Sequence, residues 1–219
     1  MRKPSTLAVL VSILLVAGCG GDREKRPSQP AGPTAAELTN RGWTEFDEGD
    51  LTQALADFDA AIAADPNHGP AYVGQGWSRL DRAASAAEFQ QSVTSFQSAL
   101  DRQQEGAEVR AGLAAARFGL GGTHLQSAIN EAVSALQADS TFVFAHRSSI
   151  NATDLALIVA FSLAGQGDLA GALEVADVVQ ASGIEAGAPA TWTVDGTTYP
   201  TFEGAALAFL HKLSNALAG

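Results

Sequence analysis

Few residues of this 219-residue chain are placed to do chemistry. Cys19 is the only cysteine, so no internal disulfide can form. A lone thiol is a liability in an oxidising compartment unless something covers it. Trp43 and Trp77 stand 34 residues apart, each directly after a glycine. Their rings could hold an apolar side chain, stack on a sugar, or simply pack between helices. Four histidines, His68, His124, His146 and His211, are scattered, and none has a His or Cys at metal-ligand spacing. His146-Arg147 is the one His-cation pair in a segment without regular pattern. Catalytic signatures are missing: no Gly-x-Ser-x-Gly, no phosphate loop, no His-Glu-x-x-His, no paired Cys motif. Acidic pairs such as Asp47/Asp50 and Asp57/Asp59 read as solvated helix faces. The residues point to binding, with no enzyme activity, no cofactor and no metal.

The elements that position the tryptophans repeat. Between Gly42-Trp43 and Gly76-Trp77 run Gly49-Asp50-Leu51, Ala54-Leu55, Phe58, Ala61-Ile62 and Asp65-Pro66. Leu51, Ala54, Leu55, Phe58, Ala61 and Ile62 fall on one helical face. Pro66 ends that helix. Gly42 and Ala54 let two helices approach, and Phe58 fills the space beside them. Arg41 is expected to lay its stem along apolar surface. This pattern resembles the tetratricopeptide repeat, whose period is 34 residues. Tyr72 and Gly76 open a second unit, in which Ala83 to Ala87 looks like an insertion before the stripe Phe89, Val93, Phe96, Leu100. A degenerate third unit runs to Asp139. Gly167-Asp168-Leu169 and Ala172-Leu173 restore the pattern in a fourth, whose first helix, Leu155 to Leu163, is apolar nearly all round. Asn151 is expected to begin that helix. The non-repeat stretch near 140–153, with Phe142, Phe144, His146 and Arg147, reads either as a short linking helix packing its phenylalanines or as a binding element.

Asp195-Gly196 between Trp192-Thr193-Val194 and Thr197-Thr198-Tyr199 predicts a β-hairpin. A last helix follows, with Phe202, Leu207, Leu210, Leu213 and Leu217 along one side. An exposed solenoid end needs a lid, and hairpin and helix supply one. The fold class is therefore all-α: a tetratricopeptide-type solenoid of helical hairpins over 34–183, closed by a β-hairpin and capping helix over 184–219. The resemblance implies that first helices line a concave face that holds an extended peptide or a partner helix. Trp43 and Trp77 would then face that groove, with Asn40, Asp47 and Asp81 beside them.

The N-terminus has a separate logic. Arg2 and Lys3 precede an apolar run from Leu7 to Ala17, too short to cross a bilayer. It ends in Val16-Ala17-Gly18-Cys19, which resembles the lipobox of bacterial lipoproteins. The resemblance implies a signal peptide over 1–18, a lipid on Cys19 and a flexible tether over 19–33, rich in Gly, Pro, Ser and charge. Gly20 follows the cysteine where an aspartate would favour inner-membrane retention, so the outer membrane is favoured. Loss of Arg2 and Lys3 leaves 11 basic against 24 acidic residues, a net charge of −13. Such a chain is repelled by phosphate backbones, which argues against nucleic acid as partner. The expected role is a membrane-anchored scaffold for another envelope protein or peptide; the alternative is capture of a small ligand such as a glycan on an aromatic groove.

One prediction follows from the N-terminus alone. Mass spectrometry of the native protein should find residues 1–18 absent and an acyl mass on Cys19. Cys19→Ala should move the protein out of the membrane fraction, and an unmodified Cys19 would overturn the assignment.

Overall fold

The computed structural model describes residues 32–217. Cys19 and its flanking segments lie outside the described residues. Nine α-helices are found among those described: α1 (Ala35–Glu48), α2 (Leu51–Ala64), α3 (Gly69–Arg82), α4 (Ala86–Leu100), α5 (Ala107–Leu120), α6 (Leu125–Ala138), α7 (Ala152–Gly165), α8 (Leu169–Val179) and α9 (Phe202–Leu217). α1 to α8 form four antiparallel hairpins, and each hairpin packs on the next. The first helices also touch in succession, α1 with α3, α3 with α5 and α5 with α7, so they form the inner layer of the array.

Local sequence sets the corners. Gly49 and Gly167 take φ of 85° and 89°, a left-handed conformation that glycine adopts without strain. The aspartate after each glycine caps the next helix: Gln53 N–H donates to Asp50 Oδ1 at 3.0 Å and Gly171 N–H to Asp168 Oδ1 at 2.9 Å. Thr34 with Glu37, and Asn151 with Asp154, form capping boxes at the starts of α1 and α7. The extra residues after α3 form the turn Ala83–Ser85, and Ser85 caps α4.

Packing between units depends on phenylalanine rings seated against glycines. A Cβ on Gly42 of α1 would lie 2.8 Å from the Phe58 ring, and one on Gly74 of α3 would lie 2.2 Å from it. Phe96 of α4 is held in the same way between Gly76 of α3 and Gly112 of α5, at 2.7 and 2.2 Å. Each ring therefore reaches its own first helix and that of the next unit. Phe58 and Phe96 are fully buried.

The structure adds to or corrects the local expectations at Arg41, Asp57 and Leu207. Arg41 has a partner the sequence did not suggest: its guanidinium makes a two-pronged ion pair with Asp57, which is only 2% exposed. That hydrogen bond holds the Asp57 carboxyl below its ordinary range. Of the pair Asp57/Asp59 only Asp59 is exposed, where it accepts from Gln75 Nε2 at 2.6 Å; Asp57 is buried. On α9 the buried face is Ala205, Ala206, Phe209, Leu210 and Leu213, while Leu207 is 53% exposed.

That face of α9 closes the last hairpin in a core shared with Leu157 and Ala160 of α7, and with Ala172, Leu173 and Ala176 of α8. Before it, β1 (Thr193–Val194) and β2 (Thr197–Thr198) pair antiparallel across Asp195-Gly196, both at positive φ. The Trp192 indole N–H donates to the Glu185 carbonyl at 2.8 Å and pins this lid.

Gly74→Ala tests the ring slot. Alanine is about 1 kcal/mol better than glycine in a helix interior, yet here the added Cβ meets an immobile ring. We expect a net loss of about 1–3 kcal/mol in a denaturant melt, as for overpacking. Adding Phe58→Leu, which withdraws the ring, should make the pair less damaging than the sum of the single changes.

Candidate peptide groove and its occupant

The inner layer of the first two units places Trp43, Phe46 and Asp47 on α1 and Trp77 and Asp81 on α3. These residues share one surface because each helix repeats the same face at the same register. Four of the five groove residues singled out in the sequence, Trp43, Asp47, Trp77 and Asp81, come together here. Asn40 stays exposed one turn earlier on α1, outside this cluster.

The surface is filled by the chain itself. The stretch between α6 and α7 is not a linking helix. It is a narrow loop, closed by a bridge between Val143 and Asn151. Phe144 N–H donates to the Ile150 carbonyl and Ala152 N–H to the Phe142 carbonyl, both at 2.8 Å. The loop reaches back across two units. Phe144 stacks on Trp77 with centroids 4.1 Å apart, and His146 stacks on Trp43 at 3.9 Å with planes 4° apart. Phe46 and Phe144 meet edge to face at 6.1 Å. Phe142 and Phe144 are buried, Phe144 to 1% exposure.

Polar contacts fix the loop tip. His146 Nδ1 donates to Asp47 Oδ1 at 2.9 Å. Arg147 forks onto both oxygens of Asp81, one of them at 2.9 Å, and its guanidinium carbon lies 5.4 Å from the centre of the Phe46 ring. Glu108 on α5 is half-buried near His146, and burial pushes its carboxyl above the ordinary range against the pull of that imidazole.

Trp77 is only 2% exposed, and its indole N–H has no acceptor on any described residue. Trp43 keeps partial exposure. One face of each indole is covered, so neither offers an open platform for a sugar ring. Phe46 and Glu108 are the members of this site that sequence reasoning passed over. Phe46 lies one turn after Trp43 on the same face, and that spacing was the available signal.

Elsewhere, Gln75, Ser95 and Arg79 form a hydrogen-bonded seam: Ser95 Oγ donates to Gln75 Oε1 at 2.7 Å and Arg79 donates to Ser95 Oγ at 2.8 Å. Beside it a cleft is lined by Leu55, Asp59, Arg79, Arg82, Glu88 and Gln91. Its two cations face two carboxylates, so it has no net charge to select a ligand. Among the described residues no group of three or more His, Cys, Asp or Glu could hold a metal ion, and no helix is long and apolar enough to cross a membrane.

No protein-family model and no curated protein matches the chain. Solved structures do. YrrB, a tetratricopeptide protein described as having an unusual peptide-binding site, is 19% identical with a TM-score of 0.55, over 84% of this chain and 81% of its own. A MamA fragment from Desulfovibrio magneticus RS-1 is 18% identical with a TM-score of 0.53, over 67% of this chain and 75% of its own. Another MamA structure is 16% identical with a TM-score of 0.54, over 84% and 86%. At such identities the likeness establishes the fold: the chain is a tetratricopeptide-type helical solenoid with a small C-terminal hairpin.

Truncating the buried ring of the loop tests its place in the core. Phe144→Ala should cost about 3–5 kcal/mol, the usual loss for a buried Phe. It should also make tryptophan emission more accessible to acrylamide. An unchanged melt with unchanged quenching would mean the loop does not rest on the tryptophans.

Proposed function

We propose that the protein is a scaffold tethered to the cell envelope by lipid on Cys19, holding another envelope polypeptide against its inner helical layer. The observation that carries this reading is the loop 142–151. There the face built by Trp43, Phe46, Asp47, Trp77 and Asp81 holds a stretch of the chain itself, with rings in aromatic slots and an arginine on a carboxylate. The fold supports it, because stacked hairpins offer an extended inner surface. The peptide-binding site named for YrrB is in keeping with such a use of this architecture. The acidic chain favours partners that are not themselves strongly acidic. Glycan capture is the weaker reading, since the indole faces it would need are covered by Phe144 and His146. In this reading the lipid expected on Cys19 is the anchor, and Gly20 after it favours the outer membrane.

A photo-reactive residue at Asn40, at the exposed rim of α1, should cross-link one discrete polypeptide in intact cells. The same residue at Val178, which is exposed on α8, should not. Equal or absent adducts at the two positions would sink the polypeptide-scaffold reading.

A further inference from the structure

The loop defines what its competitor must look like. Phe144 fills the space over Trp77, His146 lies flat on Trp43 two residues later, and Arg147 binds Asp81 directly after. The chemistry offered by the groove is thus two aromatic slots followed by a carboxylate, with Asp47 adding a second carboxylate beside the Trp43 slot. We infer that the groove is a docking surface for a partner segment of the pattern aromatic, any residue, flat ring, arginine, and that the chain's own loop 142–151 is the resident competitor which that segment displaces. The inference rests on the reading of the inner face as a polypeptide site.

Two further observations separate a displaceable occupant from ordinary core. The ionic ends of the loop are at the surface: Asp47 and Asp81 keep half and about a quarter of their side-chain area in solvent. Exposed ion pairs hold a segment weakly, because water and salt replace them at little cost. With the loop seated, the buried Trp77 indole N–H has no acceptor among the described residues. A buried unpaired donor is a cost that a better occupant removes. An extended segment brings backbone carbonyls that a closed hairpin, bonded to itself between Phe144 and Ile150, has already committed.

The test uses the mature full chain in detergent and a fluorescent synthetic peptide of residues 140–152 of this sequence as probe. A variant with 142–150 replaced by a Gly-Ser linker of equal length should bind the peptide at least tenfold tighter than the wild type. Peptides carrying Phe144→Ala or Arg147→Glu should lose at least tenfold on that variant. Where the linker variant does not fold, His146→Ala/Arg147→Ala in the intact chain keeps both buried phenylalanines and should still bind the peptide several-fold tighter than wild type. A folded linker variant that ignores the peptide, equal binding by wild type and variants, or indifference to Phe144→Ala and Arg147→Glu in the peptide would each overturn the inference. If wild type and linker variant cross-link the same envelope polypeptide equally while neither binds the peptide, the scaffold reading stands and the competitor is rejected. If the peptide binds as expected but no envelope polypeptide is cross-linked, the groove stands and the scaffold reading falls.

Discussion

A phenylalanine ring pressed against two glycines governs the first half of the molecule. Phe58 could not lie where it does if either Gly42 or Gly74 carried a side chain, and Phe96 is bound in the same way to Gly76 and Gly112. The ring acts as a spacer between consecutive inner helices and fixes their approach. Everything on the inner face inherits its position from that spacing. Trp43 and Trp77 come one residue after Gly42 and Gly76, so the residues that admit the rings also aim the indoles.

The later units solve the same problem with different volumes. Ala132 of α6 is fully buried at the register that Phe58 and Phe96 hold in the earlier second helices. The first helix of the fourth unit is correspondingly bulky, with Leu155, Leu157 and Val159 buried. Small and large have changed sides between the layers. Core packing tolerates such an exchange when total volume is kept, which explains how the third unit can lose the repeat pattern without breaking the array.

Features encoded by neighbours in sequence were legible in advance. The Gly-Asp-Leu corners, the Asn151 cap, the hairpin at Asp195-Gly196 and the four hairpin units all depend on contacts within a few turns. What the sequence hid depends on distant partners. Asp57 looked like one more acid on an acidic chain, although its place between Ala54 and Ala61 on the buried stripe marked it; its pairing with Arg41, with a hydrogen bond from Gln53, makes that burial tolerable. Gly74 escaped notice because it lies outside the repeat consensus, yet it stands as far after Phe58 as Gly42 stands before it. The loop was recognised as an interruption but not as a groove occupant, since His146 meets Asp47 across 99 residues and no local pattern announces such a pairing. Leu207 was assigned to the buried side of α9 by periodicity alone, and the lid turned out to rest on small Ala205 and Ala206 one helical step away.

The backward reach of that loop also changes how the chain must come apart. Stacked repeats touch only their neighbours, so they ordinarily unzip from an end, unit by unit, with folding able to start anywhere. Here a segment between the third and fourth units is fastened to the first and second by contacts 66 and 99 residues apart in sequence. The first hairpin cannot fray without releasing His146 from Trp43 and Asp47, and the loop cannot seat fully until the first two hairpins exist. A quasi-linear array is thereby tied into a single cooperative body, with a higher contact order and slower assembly than its helical content alone would give.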